Sequence, residues 1–396
     1  MSARPLVALL AVLAVLLTGC VPGESDSDGV EPDVPEAEPL RPAWRSLTLP
    51  TPPGGTGRLM VRDAVACDGR WFVVGGVADA AGRTRPAAWV SSDATSWSPL
   101  PVAASSFYGR QHVFSAVACR AGRVAAIGAK SGGVHGNPRV GTWVQGSGGT
   151  LREVAAPLEW YGGPRAVGVS RLAAGPAGWL VVGTRVDGAA VWTSPDAEGF
   201  TPREGVAELA GDERGGTFAY DATAVSSGWL VVGAVLPLGG AALVPLAWTS
   251  SDGRVWRRAV LPTPDGQGQA QRVASVGGAA VAVGPVPGGF GAWRLVGLGW
   301  RPGGRFGGAG PGVSSVGSLV AAGRALVVVV ADGRGHGVWL SADSGDSWRA
   351  VALPVAVPDA GGAALAVASW GDRLLLVADD GLGSRAWWAG VPTADR

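Results

Sequence analysis

The stretch Trp339-Leu340-Ser341-Ala342-Asp343-Ser344-Gly345-Asp346-Ser347-Trp348 reads as the end of one strand, a tight turn and the start of another. Ser341, Asp343 and Gly345 are turn chemistry. Asp and Ser side chains accept hydrogen bonds from backbone N–H groups two or three residues on, and glycine admits positive φ. Trp348 follows at a distance from which its ring can fold back over the turn. Three shorter copies stand upstream: Trp89 to Trp97 around Asp93, Trp192 to Phe200 around Asp196, and Trp248 to Trp256 around Asp252. In all four the Asp lies four residues after the leading Trp. The upstream three are one residue shorter between the Asp and the closing aromatic.

Working outward, seven segments share one layout: a strand of small residues, an apolar strand often closed by Gly, and a strand carrying Trp. The strand-three tryptophans are Trp89, Trp143, Trp192, Trp248, Trp293, Trp339 and Trp387, spaced by 54, 49, 56, 45, 46 and 48 residues. A period near fifty with about four strands per unit implies propeller blades. The seventh repeat stops after Trp387 without a fourth strand. The missing pattern stands at the other end of the chain: Trp44-Arg45-Ser46-Leu47-Thr48-Leu49-Pro50 matches Trp348 to Pro354 and Trp256 to Pro262. The expectation is therefore an all-β, seven-bladed propeller of four-stranded antiparallel blades, closed by its N-terminal strand, which buries an otherwise open edge.

Ser-x-Asp-x-Gly-x-x-Trp, complete at Ser341, Asp343, Gly345 and Trp348, resembles the Asp box of sialidase-like propellers, and the turns at Asp93, Asp196 and Asp252 resemble degenerate boxes. The Val-Val-Gly-Gly of the first apolar strand also has a kelch flavour. The resemblance implies that these aspartates are structural and lie on the face opposite the usual binding site. The matched tryptophans are expected to pack between blades.

The chain has 396 residues with 65 Gly, 18 Trp and 16% charged residues. Glycine at this level without a triplet period excludes collagen. Arg4 followed by the apolar run Leu6 to Leu17 is an export signal, too short to span a bilayer. It ends in Leu17-Thr18-Gly19-Cys20, which resembles a bacterial lipobox in which Cys20 is diacylated. The expected division is residues 1–19 signal peptide, 20–42 lipidated cysteine plus an acidic, proline-rich tether that packs on nothing, and 43–396 propeller. That places the protein outside the cytoplasm, held to the membrane by one lipidated terminus. Setting aside Arg4 and Arg41 from the 32 basic residues, and the seven tether acids from the 31 acidic ones, leaves 30 basic and 24 acidic in the body, a net +6. No basic run occurs, so nucleic acid is not an expected partner. A monomer is expected.

Chain order puts the connections between blades on the same face as the strand two–three loops, away from the Asp turns. These connections carry Tyr108 with Arg110 and His112, Trp160 and Tyr161 with Arg165, and Tyr220 with Arg272 in the next one. Such an aromatic and guanidinium rim suits a glycan, peptide or protein ligand. The alternative is a glycoside hydrolase. The resemblance to sialidases implies three arginines around a carboxylate, a Tyr nucleophile paired with Glu, and an Asp acid/base. Arg62 and Asp63 open the first inner strand without the family's Arg-Ile-Pro signature, no Tyr follows Tyr220, and Arg165, Arg272, Tyr220 and Glu213 form no motif. His112, His135 and His336 stand apart, so no metal or other cofactor is expected. Cys67 and Cys119 both end an Ala-Val-Ala-Cys run. Outside the cytoplasm a pair suggests a disulfide. Matched positions in neighbouring blades point the same way round the ring, which opposes a bond; the turns that follow differ by one residue, which could re-aim one side chain. The reading that results is a membrane-anchored, non-catalytic binding scaffold.

Overall fold

The computed structural model describes residues 37–132 and 136–392. Cys20, the export signal and most of the tether lie outside them, as does His135. Seven antiparallel sheets follow one another along the chain. Their inner strands are Arg58–Cys67, Val113–Arg120, Ala166–Gly175, Gly215–Val225, Arg272–Val276, Ser315–Ala322 and Ala364–Trp370, in blades one to seven. The next strand of each blade is a near-continuous Val, Leu, Ala and Gly run, buried on both faces because blades stack on either side. Each cluster of buried apolar side chains accordingly draws on two neighbouring blades, as when Leu180 and Val182 of blade three meet Val231 and Trp248 of blade four.

The strand-three tryptophans fill these inter-blade layers. Trp89, Trp143, Trp192, Trp248 and Trp293 are buried. Four of their indole N–H groups donate to carbonyls of the connections: Trp89 to Pro50 at 2.7 Å, Trp192 to Trp160 at 2.9 Å, Trp248 to Glu208 at 2.7 Å and Trp293 to Pro262 at 2.8 Å. A buried Trp needs such an acceptor, and here it pins the loop above it.

The Asp turns close as their residues require. Asp93 Oδ1 accepts from the amides of Thr95 and Ser96, both at 2.7 Å, and Asp252 Oδ1 from Arg254 at 2.8 Å and Val255 at 3.0 Å. The residue after the Asp takes positive φ in each short turn: Ala94 at 61°, Ala197 at 63° and Gly253 at 73°. The longer turn spreads this over Ser344 at 60° and Gly345 at 92°. Trp348 folds back to donate to the Gly345 carbonyl at 3.2 Å.

The N-terminal strand closes the ring. Arg45, Ser46 and Leu47 pair antiparallel with Trp388, Trp387 and Ala386 as the outer strand of blade seven. One expectation needs correcting, and two details add to the rest. The division at residue 42 falls too late: Leu40 is buried, bridges Val351 of blade six, and exchanges backbone hydrogen bonds with Ala350 and Ala352, while the Glu38 carbonyl accepts from Arg349. A leucine within a proline-rich acidic run has an apolar edge to dock on. Blade two has five strands, because Val102–Ala103 from the preceding connection runs parallel to its outer strand Leu151–Glu153. Arg58 and Arg62 of blade one both pair with the buried Asp379 of blade seven, a further bond between the first and last blades.

Cys67 and Cys119 form a disulfide with Cα atoms 5.4 Å apart. The one-residue difference between the turns decides the geometry. Strand pairing breaks at Arg62 in blade one and at Ser115 in blade two, so Asp63 corresponds to Ala116 and Cys119 to Ala66 rather than to Cys67. Successive strand residues face opposite ways. Cys67 therefore faces blade two while Cys119 faces blade one, and the objection from matched positions disappears.

Candidate functional site

The inner strands place one residue each at a common level of the axial channel. After the irregularities at Arg62, Ser115, Ser170, Tyr220 and Gly317, the next residues are Asp63, Ala116, Arg171, Asp221 and Ser318. Arg272 joins this level in blade five: the Val273 amide donates to Asp221 at 3.1 Å just as the Val117 amide donates to Asp63 at 3.0 Å. A bulge turns the following residue inward, and small residues in blades two, six and seven leave room for long ones from blades three and five. Arg171 reaches across to Asp63 of blade one at 2.8 Å and to the Gly317 carbonyl of blade six, which also accepts from Arg272 at 2.9 Å. Burial, with Arg171 alongside, pushes Arg272 down to about 9 despite Asp221 and Asp63 nearby. Burial pushes the Asp221 carboxyl up against the pull of the same two arginines. The channel at this level is filled by a balanced set of two guanidinium and two carboxylate groups.

The expected rim residues do not share one place. Arg272 belongs to the channel, and Tyr220, at the bulge before Asp221, has its phenol pushed up by burial and no carboxylate hydrogen-bonded to it among the described residues. Arg165 lies on the exposed side of blade three, paired with Asp187 and Glu204. Tyr108, His112 and Tyr161 come together in a cleft of about 320 Å³ between blades two and three, on the face away from the Asp turns. Arg110 is exposed and lines a different cleft, with Arg85 and Pro101, and the Trp160 carbonyl is spent on Trp192.

Two of the three cleft residues do not lie on the open rim as expected. His112 is buried, with its Nδ1 accepting from the Trp143 indole at 3.2 Å. That bond puts the ring proton on Nε2. Gly128 and Gly141 pack on the ring so closely that a Cβ on either would come within 3.0 Å of it. Burial pushes His112 down to about 4, although Glu153 pulls the other way. Tyr161 is buried against Trp192, ring centroids 5.6 Å apart. Its short helix Leu158–Tyr161 turns the chain inward, so the ring becomes the floor of the cleft rather than its lip. Tyr108 stays exposed, with the Arg139 guanidinium 5.5 Å from its ring centre.

The reading from sequence missed Arg139 and Glu153. Glu153 accepts from the amides and hydroxyls of both Ser105 and Ser106, at 2.6–3.1 Å. Burial raises its pKa, and these donors more than reverse that. Gly109 leaves the space that the carboxylate occupies. Arg139 opens the third strand of blade two, and its guanidinium has no side-chain or backbone acceptor among the described residues. The Arg139 Nε is buried without a partner among the described residues, and the buried Tyr161 and Thr142 hydroxyls face each other.

No protein-family model matches this chain, and no curated protein matches it. Among solved structures it is similar to YCF48 from Cyanidioschyzon merolae, with a TM-score of 0.52 at 15% identity over 87% of this chain and 98% of that one. The likeness is one of fold. A Trypanosoma rangeli sialidase matches with a TM-score of 0.45 at 11% identity over 89% of this chain and 58% of its own. A mutant of the Aleuria aurantia lectin AAL, in complex with Fucalpha1-6GlcNAc, matches with a TM-score of 0.43 at 12% identity over 86% and 97%.

Proposed function

We propose that this protein is a non-catalytic glycan-binding propeller, lipidated at Cys20 and held outside the cell membrane by the acidic segment that precedes Glu38. The observation that carries the reading is the state of the channel. Asp63 and Asp221 each hold a backbone amide of the next blade and lie among Arg171 and Arg272. Carboxylates spent on their own fold serve poorly as the acid and base of glycoside hydrolysis. At the rim, between blades two and three, the Arg139 guanidinium instead lines a cleft with no acceptor among the described residues. The Ser-x-Asp turns, on the opposite face, are read as structural Asp boxes. The test is a glycan and cell-wall-fragment array probed with the mature full-length chain in detergent, beside a fluorogenic sialoside assay. Binding without turnover is expected; turnover abolished by Asp221→Asn would overturn the reading in favour of a hydrolase.

A further inference from the structure

Two turns on the Asp-turn face carry apolar side chains that the turns themselves do not need. The Asp turn of blade four has Val255 where those of blades one, three and six have Ser96, Gly199 and Ser347. Only the Val255 amide is used, donating to Asp252 at 3.0 Å, and the side chain is 72% exposed. Blade five has no Asp at the matching place. Val296 and Gly299 close a two-residue turn there, with Gly297 at φ 61°. A tight hairpin turn of this kind needs glycine first and asks little of its second position, yet Leu298 occupies it and is entirely exposed. Val255, Leu295 and Leu298 line one hollow of about 440 Å³ between the two blades. Arg254 and Arg257 stand exposed on either side of Val255. Contiguous apolar surface of this kind marks a contact site, and flanking guanidinium groups suit the phosphates of lipid headgroups.

Exposed apolar residues occur on the rim face as well, Phe107 and Leu238 among them, so exposure alone does not choose a side. The path of the chain does. Leu40 runs parallel to Val351, and the Arg349 guanidinium donates to the Glu38 carbonyl at 3.0 Å. Arg349 directly follows Trp348, the end of the blade-six Asp turn. The chain therefore enters the propeller from the Asp-turn face. Cys20 stands 18 positions before Glu38, a length that spans at most about 60 Å. A lipid on Cys20 holds the propeller within that distance of the bilayer. A contact between the two then forms within one anchored assembly and needs little affinity of its own, so two apolar turns suffice.

We infer that the Asp-turn face lies against the lipid bilayer, with Leu298 and Val255 entering its interfacial layer, so that the rim face points away from the membrane. This rests on attachment at Cys20, and the test supplies that attachment independently. The chain from residue 21, with a histidine tag in place of Cys20, is held on phosphatidylcholine vesicles containing a nickel-chelating lipid. Leu298→Cys carries an environment-sensitive nitrobenzoxadiazole dye, and Leu238→Cys on the rim face carries the same dye as the comparison. Cys67 and Cys119 are bonded to each other, so each dye site is a single free thiol. The dye at position 298 should brighten about threefold on attachment, as it leaves water for the interface, and spin-labelled lipid should quench it. The dye at position 238 should do neither. A dye at Val296→Cys should respond as well, and should lose the response when Leu298→Asp and Val255→Asp are added. The melting temperature should not move with those two changes, because both side chains stand in water. An unresponsive dye at positions 296 and 298, or a response at 238, overturns the inference and leaves the lipidation reading intact. Retention of the Cys20→Ala protein in the membrane fraction counts against lipidation alone, since the tagged chain still decides which face meets lipid.

Discussion

Truncation from the N-terminus should cost nothing up to residue 37 and a great deal by residue 50. In the structure, Leu40 buries its side chain against Val351 and neighbours of blades six and seven. That burial contributes about 2 kcal/mol. The two backbone bonds of Leu40 with Ala350 and Ala352, and the indole bond from Trp44 to the Ala352 carbonyl at 2.8 Å, add about 1 kcal/mol each. Removing residues 38–50 therefore costs about 5 kcal/mol, before counting the unpaired edge left at Ala386 to Trp388 and the lost Pro50 acceptor of Trp89. At a slope of about 3 kcal/mol/M, that is a urea midpoint lower by about 1.5–2 M. Removing residues 21–37 takes away a segment whose composition cannot bury apolar surface, so its midpoint should equal that of the full mature chain. Leu40→Ala alone should recover about half of the large effect. The assay is equilibrium urea unfolding followed by tryptophan fluorescence. Coincident midpoints for chains beginning at 38 and at 51 would refute the closure argument.

Other expectations can be measured alongside. The disulfide ties residues 52 apart in sequence, so Cys67→Ala with Cys119→Ala should lower stability by about 4 kcal/mol and make unfolding indifferent to reductant. His112, held down to about 4 from an ordinary 6.5, stays neutral in the fold while the unfolded chain takes up a proton below pH 6.5. Stability should then fall as pH drops from 6.5 to 4, by about 3 kcal/mol at the low end, and His112→Asn should flatten that part of the profile. Arg171→Met strands Asp63 in the channel and should cost about 3–5 kcal/mol, with Asp63→Asn in the same chain restoring much of it because the amide side chain still accepts from Val117. Cys20→Ala should move the protein out of the membrane fraction; unchanged retention, with no lipid on the wild-type protein, would refute the lipidation reading.

The repeat was legible in the sequence because each blade reuses the same chemistry at the same place. A Trp in every third strand and an Asp four residues after it in four of the seven are spacing signals, and the strand around Trp44 shows itself by matching outer strands elsewhere. The rim was only half legible. Spacing locates a connection on a face, but not the direction in which its residues point. His112 and Tyr161 turn inward because Gly128 and Gly141 open space beside one and the helix Leu158–Tyr161 drops the other onto Trp192. Leu40 hid inside an acidic, proline-rich run, where one apolar residue looks incidental.

The channel residues had a signal that went unused. Asp63, Arg171, Asp221 and Arg272 are charged residues in inner strands otherwise made of small and apolar ones, and they correspond only when the strands are aligned on their bulges rather than on Ala-Val-Ala-Cys. That alignment explains two things at once. It offsets Cys67 from Cys119 by one residue, so that they face each other, and it brings four charges from blades one, three, four and five to one level. Once those four are spent on one another and on the amides of Val117 and Val273, the axis of the ring acts as a lock between blades. Recognition then falls to the rim, where the Arg139 guanidinium lines a cleft with no acceptor of its own among the described residues.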